Sequence, residues 1–305
     1  MDDTGGIVAR ADSHGVDWQL ELERDDLLPG TTAKGRIALA ARGGIEARGI
    51  VAALIATEQW QFQESYTDAQ GHVQTRTVTK TDELRRLPVM LSGPLVLGAG
   101  ERREIGFEVP VPPLGPATLE ATVSRLTWDL EVKLDREGGF DSAIVVPVRV
   151  LQPTALLRAG VVHVGEFALY EAADSATNEA RASVEIKPMP ICVGQPMEGT
   201  LTIETDGPMD LQEVRLELRV KVQATVHSGE KEEITVWAGQ LAGAGRFGGA
   251  SQAIPFSADI PSTWLPTIEL PHGRTDAQFH VILARAWARD PHLVRDVSIC
   301  TTTEI

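Results

Sequence analysis

Residues Gly243-Ala244-Gly245-Arg246-Phe247-Gly248 spell a literal GxGxxG. In a dinucleotide site these glycines follow a strand and open a helix, whose N-terminus meets the pyrophosphate. Here 233–237 reads as a strand, but 252–256 carries Pro255 and reads as another strand. The motif therefore predicts a glycine-rich β-turn and no nucleotide cofactor. The seven histidines (14, 72, 163, 227, 272, 280 and 292) stand at no zinc spacing from cysteine or from each other, and Cys192 has no CxxC partner. No metal site is expected from that pattern. His280 lies between Phe279 and Val281 on the outward phase of a strand, where it should be solvated. No GxSxG elbow marks a nucleophilic serine. Carboxylates such as Glu21, Glu23, Glu204 and Asp206 alternate along strands, as solvated faces do, rather than pairing as a glycosidase needs. No catalytic residue, cofactor or metal is expected, and the chain reads as a non-enzyme.

Two features suit binding instead. Arg76, Lys80, Arg85 and Arg86 form a basic island on an acidic chain. Arginine forks could orient an acidic or phosphorylated protein partner; the alternative is charge that protects a strand edge from aggregation. Trp264, in Pro261-Ser262-Thr263-Trp264-Leu265-Pro266, could be an exposed interface anchor or could be packed, as most tryptophans are. Trp18, Trp128 and Trp287 fall within strand alternation and are expected in the core.

The elements that carry these residues are strands. Val16, Trp18, Leu20 and Leu22 alternate with polar neighbours, as do Val214, Leu216, Leu218, Val220 and Val222. That period of two marks half-buried antiparallel strands, and Pro29-Gly30, Gly43-Gly44, Gly138-Gly139 and Gly207-Pro208 punctuate them. A short helix within 171–182 is the one helical expectation. Residues 155–170 are apolar and should pair as strands with the second half.

The chain also repeats itself. Shifted by 164, Leu20 meets Val184, Gly30 meets Gly194, Gly35 meets Gly199 and Ile37 meets Leu201. A shift of 151 then aligns Val109-Pro110 with Ile260-Pro261 and Trp128 with Phe279. The two shifts differ by 13, so the first copy carries about 13 extra residues between Gln61 and Pro88, read as an extended hairpin around the turn Asp68-Ala69-Gln70-Gly71. A domain-sized period implies two all-β, antiparallel β-sandwiches in tandem, at 1–152 and 153–305.

The net charge of −15, shared by both halves, disfavours nucleic acid and bare anionic membrane as partners. Two cysteines in 305 residues make no disulfide framework and fit a reducing compartment. With no signal-peptide pattern and no apolar run near the ~20 residues of a transmembrane helix, a cytoplasmic location is expected.

Leu28-Pro29-Gly30-Thr31-Thr32-Ala33-Lys34-Gly35, followed by Ile50-x-Ala52-x-Leu54 and Phe107-Glu108-Val109-Pro110, resembles the strand pattern of arrestin-like proteins. Val193-Gly194-Gln195-Pro196-Met197-Glu198-Gly199 and Ile260-Pro261 repeat it. Bacterial sporulation-control and other prokaryotic arrestin-like proteins share the two-domain plan. The resemblance implies an adaptor or scaffold that binds proteins through strand edges, loops and the inserted hairpin. The animal arrestins' lysine pair is not matched, since 7–12 holds one arginine, Arg10, and no lysine; phosphate sensing is not carried over. The alternative is a β-sandwich that binds a small ligand or carbohydrate at the domain junction, with hydrolytic activity. Aromatic content of 5% argues against a sugar-stacking surface.

Overall fold

The computed structural model describes residues 6–154, 163–166, 168–170, 179–248 and 251–303. Among them there is no helix, and none therefore long and apolar enough to cross a membrane. The chain divides into two compact units. The first is Met1–Trp60, Thr79–Glu120 and Arg125–Leu151; the second is Gln61–Val78, Ala121–Ser124 and Gln152–Ile305. The distal part of the inserted hairpin thus belongs to the second unit.

The strands that make up the first unit, with parts of β5, β6 and β10 assigned to the second, are β1 (Ile7–Ser13), β2 (Val16–Leu22), β3 (Asp26–Leu27), β4 (Thr32–Ala41), β5 (Ile45–Thr67), β6 (Val73–Ser92), β7 (Leu95–Leu97), β8 (Arg102–Pro110), β9 (Leu119–Glu120), β10 (Ser124–Arg136) and β11 (Ser142–Val150). They form one sheet in the order β1-β2-β4-β8 and another in the order β3-β11-β10-β5-β6, with β7 on β5 and β9 on β10. Alternate residues point inward, as the sequence requires: Val16, Trp18, Leu20 and Leu22 are buried on β2, and Leu130, Val132 and Leu134 on β10. Each such side chain contributes roughly 1.5–3 kcal/mol through burial. The Trp18 indole N–H donates to Ser142 Oγ at 2.7 Å, tying β2 to β11 with a satisfied buried donor. Trp128 is also buried and donates to the Pro116 carbonyl at 3.1 Å.

The second unit contains β12 (His163–Glu166), β13 (Ala168–Leu169), β14 (Ala180–Lys187), β15 (Ile191–Cys192), β16 (Pro196–Thr205), β17 (Met209–Ala224), β18 (Lys231–Ala242), β19 (Gly245–Phe247), β20 (Gln252–Asp259), β21 (Gly273–Arg285), β22 (His292–Val297) and β23 (Ile299–Cys300). The sheets run β12-β14-β16-β20 and β13-β22-β21-β17-β18, with β19 on β17, and β15 pairs with β23. Of the apolar segment 155–170, β12 and β13 pair with β14 and β22, strands of the second unit. Residues 155–162 and 167 lie outside the described residues. So do 171–178, where a short helix was expected, while Ala180–Ala182 are strand.

The two units share the strand order of the four-stranded sheet, that of β11-β10-β5-β6 and β22-β21-β17-β18, and much of their register, whereas β3 runs parallel to β11 but β13 antiparallel to β22. Leu20 pairs with Ile37 on β4, and Val184 with Leu201 on β16, a shift of 164 for both partners. Gly35 lies under the Phe107 ring and Gly199 under Phe256; a Cβ on either glycine would come within 2.6 Å of the ring and of a strand carbonyl. Gly30 and Gly194 both hold positive φ and donate to Val111 and Ile260 carbonyls. These pairs correct the second shift. Val111-Pro112, not Val109-Pro110, corresponds to Ile260-Pro261. Trp128↔Val148 corresponds to Ala277↔Val297, so the shift is 149 rather than 151. A slip of two residues preserves the inward and outward phase of a strand, which is why alternation alone could not expose it.

The inserted segment is the predicted hairpin. Its turn is closed by Asp68, which accepts from the amides of Gln70 and His72 at 2.9 Å. Within the second unit the hairpin is not free. Phe62 bridges to Gly229, Gln63 N–H donates to the Ser228 carbonyl at 2.8 Å, and Glu230 N–H donates to the Gln61 carbonyl at 3.0 Å. Glu232 accepts from the Thr122 and Val123 amides at 2.6 and 2.9 Å.

Candidate protein-binding surface

The basic residues singled out from the sequence lie on β6, on an outer edge of the larger sheet, and all are exposed. They do not form a field of open guanidiniums. Arg76 bonds Glu64 at 2.7 Å, with its guanidinium 5.4 Å from the Tyr66 ring centre. Arg86 is shared between Glu83 and Glu131, at 2.8 and 2.7 Å, and these bonds hold its already high pKa still higher. Arg85, its neighbour in the strand, donates instead to the Leu114 carbonyl at 2.9 Å. Lys80 is exposed and lies in the first unit with Arg85 and Arg86, while Arg76 lies in the second. Trp264 is half-buried in the second unit.

The most exposed tryptophan was placed elsewhere by the sequence. Trp287, expected in the core, has a relative exposure of 104% and sits in the turn between β21 and β22. Its φ is +62°. Left-handed backbone costs a non-glycine residue about 1–2 kcal/mol, and a bulky one adopts it rarely. Under the corrected shift of 149, its counterpart is Gly138, at φ +74° in the β10–β11 turn. Both turns are braced alike. The Arg136 amide donates to Asp141 Oδ1 and the Arg285 amide to Asp290 Oδ1, at 3.1 and 2.7 Å. Arg136 also donates to the His14 carbonyl, at 3.0 Å, and Arg285 to Glu179 at 2.5 Å. Phe140, in the first unit's turn, is 80% exposed and stacks on His14 with ring centres 5.5 Å apart. Each unit therefore presents an aromatic ring on a turn held by hydrogen bonds. The sequence signal was present in Gly138 matching Trp287, but the shift of 151 concealed it.

Titratable chemistry concentrates on β17, β21 and β22. His280 is fully buried, so its outward phase does not bring the solvation expected. Its Nδ1 lies 2.9 Å from Nε2 of His292, and Tyr170 packs against both rings with centres 4.9 and 4.3 Å away. Burial, reinforced by the nearby Arg219 cation, pushes His280 down to about 3 and His292 down to about 4. Both rings are neutral at pH 7. His280 Nε2 has no hydrogen-bond partner; a buried bare acceptor costs less than a bare N–H, which puts the His280 proton on Nδ1, donating to His292. Glu217, opposite His280 across the strands, is also buried. Burial opposes its ionisation, but bonds from Arg219 and Arg215 outweigh it and hold its pKa below the ordinary value. Among the described residues no group of three or more His, Cys, Asp or Glu side chains gathers as a metal site would require. The Gly243–Gly248 motif contains β19, which pairs with β17, and the next element among the described residues is the strand β20.

No family model matches the chain, and no curated protein matches it.

Proposed function

We propose that this chain is a cytoplasmic, arrestin-like adaptor that binds other proteins through its turns, its strand edges and the inserted hairpin, and that Trp287 is its principal anchor. The observation that carries the reading is a fully exposed tryptophan held at positive φ on a braced turn. A tryptophan fixed in place loses little freedom when it enters a partner's apolar pocket, and such residues dominate interface energies. The overall negative charge favours a protein partner over an anionic surface. Edge strands β6, β8 and β20 offer backbone groups for strand addition. The basic island on β6 is a secondary docking element, because an acidic partner must compete there with Glu64, Glu83 and Glu131.

The test is affinity purification from the source cells with three baits: wild type, Trp287→Gly, and a variant with Arg76, Lys80, Arg85 and Arg86 all changed to Ala. A partner that wild type and the basic variant retain, and Trp287→Gly loses, supports the anchor. Loss only with the basic variant moves the site to β6. Failure of wild type to retain any specific partner overturns the adaptor reading.

A further inference from the structure

The chain has two cysteines, and both fall on one register pair. Cys192 on β15 is the partner of Cys300 on β23 in a parallel two-residue ladder, beside Ile191↔Ile299. Both are free thiols and both are buried, and the Cys300 thiol donates to the Ile191 carbonyl at 3.4 Å. Neighbouring strands run about 4.8 Å apart, within the window of about 4.4–6.8 Å that a disulfide needs between Cα atoms. By the shifts of 164 and 149 the first unit's equivalents of the two cysteines are Leu28, half-buried, and Leu151, buried, next to the ladder pair Leu27↔Val150 that corresponds to Ile191↔Ile299. Packing alone is thus served there by ordinary aliphatic side chains.

We propose that Cys192 and Cys300 form a reversible dithiol–disulfide couple that staples β15 to β23 when a hydroperoxide oxidises the protein. The Cys192 thiolate attacks the O–O bond of the hydroperoxide, forming an S–O bond and expelling an alcohol or, from hydrogen peroxide, water. Cys300 then gives up its proton and attacks the sulfenic sulfur, forming the S–S bond and releasing water. Two thiols supply two electrons and the hydroperoxide accepts them. Cys192 is the initiating sulfur because the Cys300 proton is held toward the Ile191 carbonyl, and the neighbouring thiol lowers the Cys192 pKa while that of Cys300 is raised. Access requires opening a ladder of only two residues on each strand, a local event far smaller than global unfolding. The staple closes a loop of 300 − 192 = 108 positions. Cross-linking a loop of that length constrains the unfolded chain strongly.

The experiment treats the folded full chain with hydrogen peroxide, quenches the thiols by alkylation, and maps the peptides under non-reducing conditions. The expected result is a Cys192–Cys300 cross-linked peptide, an intact mass lower by two hydrogens, and a melting temperature raised by about 5–10 °C, all reversed by dithiothreitol. The Cys192→Ser and Cys300→Ser variants should show no rise. Two alkylatable thiols per chain after oxidation would overturn the proposal. So would terminal sulfinic products or intermolecular dimers in place of the internal cross-link.

Discussion

Lowering the pH from 8 to 5 should destabilise the second unit through two histidines that a neutral-pH experiment would overlook. His280 and His292 titrate near 6.5 in an unfolded chain but at about 3 and about 4 in the folded one. Between those values the unfolded state binds more protons, so stability is complete above pH 6.5 and falls as the pH drops. At pH 5 each histidine costs about 2 kcal/mol relative to pH 8. The pair shares one hydrogen bond and titrates as a unit, so the combined loss is roughly 2–4 kcal/mol. That corresponds to a fall in melting temperature of roughly 5–12 °C. The control is His280→Leu with His292→Leu, which removes both partners and fills the same space apolarly; such paired replacements are often close to neutral at neutral pH. Thermal unfolding at pH 8, 7, 6 and 5 should give a steep dependence for wild type and a shallow one for the double variant. Equal slopes for the two proteins between pH 6.5 and 5 would refute the argument, because carboxylates titrate mostly below that range.

Removing the Ser142 hydroxyl in Ser142→Ala orphans the buried Trp18 N–H and should cost about 1–3 kcal/mol in urea unfolding. Gly199→Ala puts a Cβ 2.6 Å from both the Glu185 carbonyl and the Phe256 ring and should destabilise by about 1–3 kcal/mol through overpacking, with Gly35→Ala behaving alike. Trp287→Gly should leave stability unchanged or raise it by up to ~1 kcal/mol, because glycine accepts positive φ freely while loosening the unfolded chain. The Arg76, Lys80, Arg85 and Arg86 to Ala variant should stay folded with a loss below about 1 kcal/mol per exposed ion pair, measured by the shift in denaturation midpoint.

Strand content, inward phase and the Asp68–Gly71 turn were legible because each rests on local chemistry: period-two burial and turn residues. The inserted hairpin could be seen as an insertion, but its pairing with the Val226–Glu230 region, through Phe62, Gln63 and Glu230, is long-range and leaves no local trace. His280 shows the same limit. Its phase was right, yet whether an outward-facing side chain meets water depends on what packs over the sheet, here Tyr170 and His292. The basic island was visible as composition, while its ion pairs with Glu64 and Glu131 depend on strand neighbours that sequence distance hides. Register was the costliest gap. Apolar alternation fixes a strand only to within multiples of two, and the slip of two put Trp287 within a strand.

The two braced turns separate what folding needs from what it does not. Arg136 with Asp141 and Arg285 with Asp290 build the same loop twice. At its left-handed position one loop carries Gly138 and the other carries Trp287. Gly138 shows that this turn forms without a side chain at that place. Trp287, wholly outside the core, buries nothing within the described structure that could offset its backbone strain. A residue that costs the fold and repays none of that cost inside it is the physical ground on which the proposed docking at the indole rests. Trp264 offers no such argument, since it is half-buried, and Arg76 and Arg86 already hold carboxylate partners. The weight of the binding proposal therefore falls on the β21–β22 turn rather than on the hairpin that first drew notice.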